Sequence, residues 1–255
     1  MALATAGQEL PAEAAHADAQ RPAPSARPDT KTGGPMTLRD HPQPRLALCD
    51  AADIDTLHAH ALREPGWPAR NVEPPEHPLL RQALENHRYN SLLWNEEDQA
   101  RRRDAPDSAI VANKRAIDRY NQCRNDAIEA MDDLILAAVG HADGAPHGLH
   151  WVNSETAGSL IDRMSIGRLK IHHMALQAQR QDADEAHRRR CAARLAALRA
   201  QHAHMRACLE ALFDGLVHGR CTYRAHRQFK MYNDPALNPY LYGAAAPAAP
   251  ARDAR

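Results

Sequence analysis

Aromatic residues make up only 4% of this 255-residue chain, with two Phe among them. Clusters of β-branched residues with two-residue alternation are also missing. Strands draw on both, so the sequence predicts an all-α fold. No apolar run approaches the length of a membrane span, and residues 1–20 lack the apolar block of a signal peptide. The five Cys are odd in number and include no C-x-x-C, which excludes a disulfide framework and points to a reducing, cytoplasmic setting. Charge of one sign is missing as well. Lys+Arg and Asp+Glu both number 32, so there is no basic excess to attract nucleic acid or an anionic membrane. The 16 His add positive charge only below about pH 6.5.

Motifs for cofactors and nucleophiles are equally scarce. There is no P-loop, no G-x-G-x-x-G and no G-x-S-x-G, and no cofactor is expected. Glu-x-x-His, the signature of a di-metal bundle, does not occur; Asp55-Thr-Leu-His58 is the nearest approach. His204/Cys208 and His218/Cys221 have zinc-ligand spacing. Against that, His202 and Cys208 lie on or beside the apolar seam, where a core His and an inert Cys are ordinary, so no metal site is assigned.

What is present is helix. Residues 1–45 are rich in Ala, Pro, Arg and Gly and cannot offset their ordering entropy by apolar burial, so they are expected to be disordered. An Ala/Pro tail, 243–255, reads the same way. Between them, 46–242 is expected to form one helical domain. A short helix is predicted over about 53–63. Four long ones follow at about 78–103, from the Asp104-Ala105-Pro106-Asp107 break to Val139, at 157–181 and at 184–219. The joints between the first two and between the last two are short, so each pair should be antiparallel. The last helix carries a heptad seam, Cys191, Leu195, Leu198, His202, Met205, Leu209, Leu212 and Leu216. A Tyr-rich C-terminal strap, 223–242, is expected to lie across the bundle with its aromatics anchored on apolar surface. The expected architecture is an antiparallel bundle of four long helices with a short helix before it and a strap after it.

Polar residues interrupt the apolar stripes of three helices. On the first long helix, Trp94, Glu97, Asp98 and Arg101 share a side. On the second, Lys114, Asp118, Asn121 and Asn125 follow one line, flanked by Arg115 and Arg124. On the third, Asp162, Arg163 and Ser165 stand among Leu160, Ile161, Met164 and Ile166. An unpaired buried ion costs several kcal/mol, so these groups must be paired, wet or bound to a ligand. Two readings fit: a network that sets helix register, or a polar pocket. Ser154 or Thr156 caps the third helix, and Gly158 serves either close helix packing or close approach of an anion to the free first-turn N–H groups.

The stretches NSLLWNEEDQAR, IVANKRAIDRYNQCRNDAIEAMD, NSETAGSLIDRMSIGRLKI and QFKMYNDPALNP occur in that order. Together they resemble the bacterial proteins grouped as domain of unknown function 4254, over about Leu46 to Pro239. One departure is Ala157, where the family is expected to carry Pro at the first helical position. The Ala/Pro-rich N-terminal extension is another. The resemblance implies a helical bacterial protein whose genes accompany cell-surface glycan synthesis, with no named reaction. It maps the family's motif residues onto Asn90, Trp94, Glu97, Asp98, Lys114, Arg115, Asp118, Asn121, Arg124, Asn125, Ser159, Asp162, Arg163, Ser165, Lys170, Lys230, Asn233 and Asp234.

Two functions follow as expectations. In the first, a polar inter-helix pocket accepts a phosphorylated or nucleotide-linked sugar. Glu97, Asp98 or Asp162 would act as acid or base, and Lys114, Arg124 and Arg163 would hold the anion. Trp94, Asp118, Asn121, Asn125, Ser159, Lys230 and Asn233 would complete the ligand set. In the second, the protein is a non-catalytic adaptor that docks on a glycosyltransferase.

Overall fold

The computed structural model describes residues 48–70, 72–140, 151–227, 234 and 236–242, with the side chains of residues 241 and 242 left out. The expected disorder of 1–45 and 243–255 lies outside the described residues.

Helix boundaries follow capping chemistry. Helix α1 spans Ala51–Ala61. Helix α2, Pro78–Ala100, starts with Pro at its first position, and the His77 ring accepts the Leu79 N–H at 3.2 Å. Helix α3 runs Asp107–Val139 and ends at Gly140, whose φ of 76° is the left-handed conformation a helix C-terminus favours. Helix α4, Ala157–Ala178, is capped by Thr156, which accepts the Ser159 N–H at 3.1 Å. Helix α5, Glu185–Val217, is capped by Asp184, which accepts the His187 N–H at 2.6 Å. Each long helix lies within a few residues of its sequence-predicted span.

Helices α2 and α3 pack against each other along their length and are joined by a short turn, as are α4 and α5. The result is two antiparallel hairpins. Helix α4 is the joint between them, because it packs on α2 and α3 as well as on α5. Helix α1 lies against α2, α4 and α5. The core is aliphatic and draws on all five: Ile54, Leu79, Met131, Ile135, Ile161, Met164, Leu209 and Leu216 are each under 2% exposed. Each such side chain contributes about 1.5–3 kcal/mol on burial.

Two features differ from expectation. The fold is all-α as expected, but a small sheet is added to it: β1 (Trp151–Asn153) and β2 (Cys221–Tyr223) pair in parallel, with Trp151 opposite Cys221 and Asn153 opposite Tyr223. Three residues are too few to display a two-residue period. The pairing arises because the α4–α5 hairpin returns the chain to its own starting end, acting as the crossover that parallel strands require. Gly215 permits the junction: a Cβ there would stand 2.7 Å from Cys221 Sγ and 3.2 Å from the Trp151 ring. In the strap, of which residues 228–233 and 235 lie outside the described residues, one aromatic also departs from expectation. Tyr223 is buried within β2, as expected, whereas Tyr240, on the single turn α6 (Pro239–Tyr242), is 90% exposed.

Candidate binding site

Three buried polar clusters tie the helices together, and α4 contributes to every one. The first joins α2 to α4. Asn86 and Asn90 each donate to Asp162 Oδ1 at 2.9 Å, and Asn90 also reaches Ser165 Oγ at 3.0 Å. The His87 ring meets the same hydroxyl at 2.7 Å. Spacings of four on α2 and three on α4 place these groups on facing stripes. Arg124 of α3 brings its Nε to 4.0 Å from Asp162 Oδ1 and leaves about a quarter of its side chain in solvent. Behind them His87 stacks on His58 (centroids 4.5 Å apart) and on Trp67 (5.6 Å), whose indole donates to Ser91 at 2.9 Å. Burial brings His58 down to about 4, and burial beside His58 holds His87 well below its usual value. Both imidazoles are therefore neutral at pH 7. The His87–Ser165 pair resembles a base with its nucleophile, but both are fully enclosed and a substrate has no route to them.

The second cluster joins α1 to α4 and α5. Asp55 receives Arg168 through both of its oxygens and His202 Nε2 at 2.6 Å. Burial alone would raise the Asp55 carboxyl. Hydrogen bonds from His202 and Arg168, with the Arg168 charge, outweigh it and hold the group well below the usual carboxylate range. The sequence had linked Asp55 with His58 as a near-miss metal pair. In the fold the two separate, Asp55 to Arg168 and His58 to the His87 stack.

The third cluster lies where α3 meets the start of α4. Asp132 accepts the Gly158 N–H at 2.8 Å, with the Thr156 and Tyr223 side chains beside it. A Cβ on Gly158 would stand 2.6 Å from the Ile128 carbonyl oxygen. Of the two roles open to Gly158, close helix packing is the one observed. The first-turn donors expected to be free for an anion are taken, Gly158 by Asp132 and Ser159 by Thr156. The protein's own carboxylate occupies the positive end of α4. Burial raises the Asp132 carboxyl above its usual value, and burial with the neighbouring Asp132 charge raises the Tyr223 phenol.

Beside this third cluster opens a cleft of ≈ 240 Å³. Asn125, Glu129 and Asp132 of α3 form one wall, Ser154 to Thr156 and Ser159 the other, and Ala225 to Arg227 the end. Arg227 bridges Glu129 at 3.0 Å and Asp133 at 2.7 Å, which closes that end with paired charge.

The sequence-derived candidates divide between these places and the surface. Asp162 and Arg124 meet in the first cluster, while Asn125 and Ser159 line the cleft. Lys114 and Asp118 pair with each other on the exposed face of α3, and Glu97 pairs with Arg101 at 3.1 Å. The inward stripe expected through Lys114 and Asp118 is therefore an outward one, since an exposed i,i+4 pair satisfies both charges without burial. Asp98 is exposed and Asn121 half-buried. Trp94 stacks on His173 at 4.5 Å, and burial beside His172 lowers the His173 pKa. Arg163 binds Glu155 through one nitrogen at 2.7 and 2.9 Å. Lys230 and Asn233 lie outside the described residues.

Sequence reasoning missed Asn86, His87, Asp55 and Arg168 and assigned His202 only to the apolar seam. A signal existed: Glu-Asn-His-Arg-Tyr-Asn-Ser in mid-helix places two Asn and a His, all mediocre helix formers, beside Leu84. Of the zinc-spaced pairs, His204 lies 3.6 Å from Cys208 on an exposed face, while His218 is exposed and Cys221 buried. Among the described residues no three His, Cys, Asp or Glu side chains are grouped to hold a metal ion. Nor is any helix among them long and apolar enough to cross a membrane.

No curated protein and no solved structure matches the chain. A family model does, over residues 80–225, the span that contains Asn86, Asn90, Arg124, Asp132, Gly158, Asp162 and Ser165. That match covers more than half of the chain, and the chain belongs to the family described as Protein of unknown function (DUF4254).

Proposed function

We propose that the protein binds a phosphorylated sugar used in cell-surface glycan synthesis, in the cleft between α3 and the start of α4. The observation that carries the reading is the lining of that cleft: an amide (Asn125), hydroxyls (Ser154, Thr156, Ser159) and carboxylates (Glu129, Glu155) over Ile128 and Ala225. Sugar hydroxyls donate to carboxylates and exchange bonds with amides and hydroxyls, while the apolar floor accepts a ring face. Arg227, at the end of the cleft, and Arg124, whose guanidinium lies 3.5 Å from the Asn125 amide oxygen behind its wall, are the cations assigned to the phosphate in this reading. A volume of ≈ 240 Å³ suits a monosaccharide phosphate better than a whole nucleotide-linked sugar, since sites for larger ligands span roughly 300–1,000 Å³. If the ligand is processed as well as bound, Asp132 is the acid candidate, because it lines the cleft and its pKa is raised.

Calorimetry with a panel of hexose phosphates, nucleotide-linked sugars and inorganic phosphate tests the reading. Binding of at least one hexose phosphate, abolished by the cleft-filling Ser159→Trp, is expected. A folded protein that binds no member of the panel would defeat it.

Docking on a glycosyltransferase is the second reading. It is favoured by the exposure of Leu237 (50%) and Tyr240 (90%) near the C-terminus. Truncation after Arg227 should then release the partner in a pull-down while leaving the melting temperature unchanged; retention of the partner removes this reading.

A further inference from the structure

A second concavity lies between α4 and α5, on residues that share nothing with the sugar-sized cleft. Its volume is ≈ 450 Å³, within the range of about 300–1,000 Å³ for small-ligand sites. Ile166, Leu198 and Met205 form its floor, and Arg163, Lys170 and His204 stand at its rim.

The floor is apolar surface that the fold leaves uncovered. Leu198 and Met205 occupy the α5 seam, where Leu195 and Leu209 are buried, yet both are only half-buried. The cause is architectural: α5 packs chiefly on α4, with lesser contacts to α1 and β2. Gly167 brings the two helices close at the bottom of the groove, since a Cβ there would stand 2.9 Å from His202 Nδ1 and 3.1 Å from Met205 Cε. At the rim, no Asp or Glu lines the groove. Arg163 is paired with Glu155, but the exposed Lys170 ammonium has no partner among the described residues.

We propose that this groove binds an amphiphilic anion, an alkyl chain bearing a phosphate head. The chain covers Ile166, Leu198 and Met205. The head meets Lys170 as its main cation, with His204 as an additional donor. Apolar burial supplies most of the affinity, because an exposed ammonium alone holds a phosphate weakly in water. Charge supplies the choice of anion over neutral amphiphile.

Calorimetry with dodecyl phosphate, kept below its micelle-forming concentration, tests this. Inorganic phosphate and dodecyl maltoside serve as head-only and neutral-chain probes. Dodecyl phosphate should bind at least ~10-fold more tightly than either. Lys170→Glu, at an exposed position, should weaken it by at least ~10-fold. Gln201→Trp, which fills the groove from its exposed edge without changing charge, should weaken it too. Equal binding of inorganic phosphate removes the role of the floor, and equal binding of the maltoside removes the role of Lys170; either result overturns the proposal. So does undiminished binding by Lys170→Glu, or no binding of dodecyl phosphate to the folded wild type.

Discussion

Asp132 of α3 accepts the backbone N–H of Gly158 at 2.8 Å, and the Ile128 carbonyl lies where a Gly158 Cβ would go. One carboxylate and one missing side chain thus set the distance between α3 and the first turn of α4. They also set the width of the sugar-sized cleft beside them. Gly158→Ala should lower stability by about 1–3 kcal/mol through overpacking against backbone, which cannot swing aside. Urea denaturation measures it, and an unchanged midpoint would show that α4 tolerates a shift there.

Asp132 itself combines two opposed effects. Its hydrogen bond from the Gly158 N–H holds α4, while burial penalises its charge and raises its pKa. Asp132→Asn keeps an acceptor and removes the charge, so most stability should remain. Asp132→Ala leaves the Gly158 N–H without a partner and should cost about 1–3 kcal/mol. The raised pKa means that the folded state holds the proton longer than the unfolded one. Wild-type stability from this group is therefore highest in acid and declines as pH rises through the native pKa. Asp132→Asn should lack that decline, which paired urea titrations at several pH values will show.

The Asn90–Asp162 contact at 2.9 Å is part of a shared network and should be non-additive. Asp162→Ala strands the buried Asn86 amide donor, at about 1–3 kcal/mol, and takes one of its bonds from Asn90, which keeps Ser165. A double-mutant cycle of Asn90→Ala with Asp162→Ala should give a coupling of about 0.5–3 kcal/mol. Additive losses would mean that the two residues act separately. Loss of sugar-phosphate binding without loss of stability would instead assign them to a ligand.

Stability should fall on mild acidification. His58 is fully buried and its folded pKa is about 4 against 6.5 as a free group, and His87 shifts in the same direction. A His with a depressed folded pKa takes up its proton mainly on unfolding. Its contribution is intact above pH 6.5 and is lost progressively down to the folded pKa. For His58 alone the loss is on the order of 3 kcal/mol. Asp55, depressed in turn by its Arg168 and His202 bonds, adds a second loss below its free-state pKa of 3.8. Urea midpoints from pH 8 to pH 4 test the first phase. A flat profile between pH 6.5 and 4.5 contradicts neutral burial of both imidazoles, and His58→Gln should shallow the slope.

Arg168→Met should cost about 2–3 kcal/mol. That is below the 3–5 kcal/mol typical of breaking a fully buried pair, because a quarter of the Arg168 side chain is exposed. Asp55→Leu combined with Arg168→Met should recover part of the loss. A double variant less stable than both singles would show that His202 cannot do without Asp55.

Much of this was legible in the chain. Thr156 and Asp184 cap the helices they precede, Gly140 ends α3, and the α5 seam at Leu195, Leu209, Leu212 and Leu216 is buried. These features depend on residues a turn or less apart, so local spacing reveals them. The candidate site was legible only in part. Asp162, Arg124, Asn125 and Ser159 stood out as polar groups on apolar stripes. Lys114 and Asp118 stood out equally but satisfy each other at the surface, and spacing within one helix cannot separate the two cases. Asn86 and Asp55 find their partners 76 and 113 residues away, in Asp162 and Arg168.

The amino-acid sequence by itself determined the helices, their ends and their antiparallel pairing, because capping, periodicity and loop length act over short distances. Only the tertiary structure decided that Asp132 fills the positive end of α4. The same holds for the parallel pairing of Trp151–Asn153 with Cys221–Tyr223, and for the uncovered floor at Leu198 and Met205. Each of these depends on how closely two helices approach. That distance is set where a side chain is missing, at Gly158, Gly167 and Gly215, facing Asp132, His202 and Trp151, which are remote in the chain.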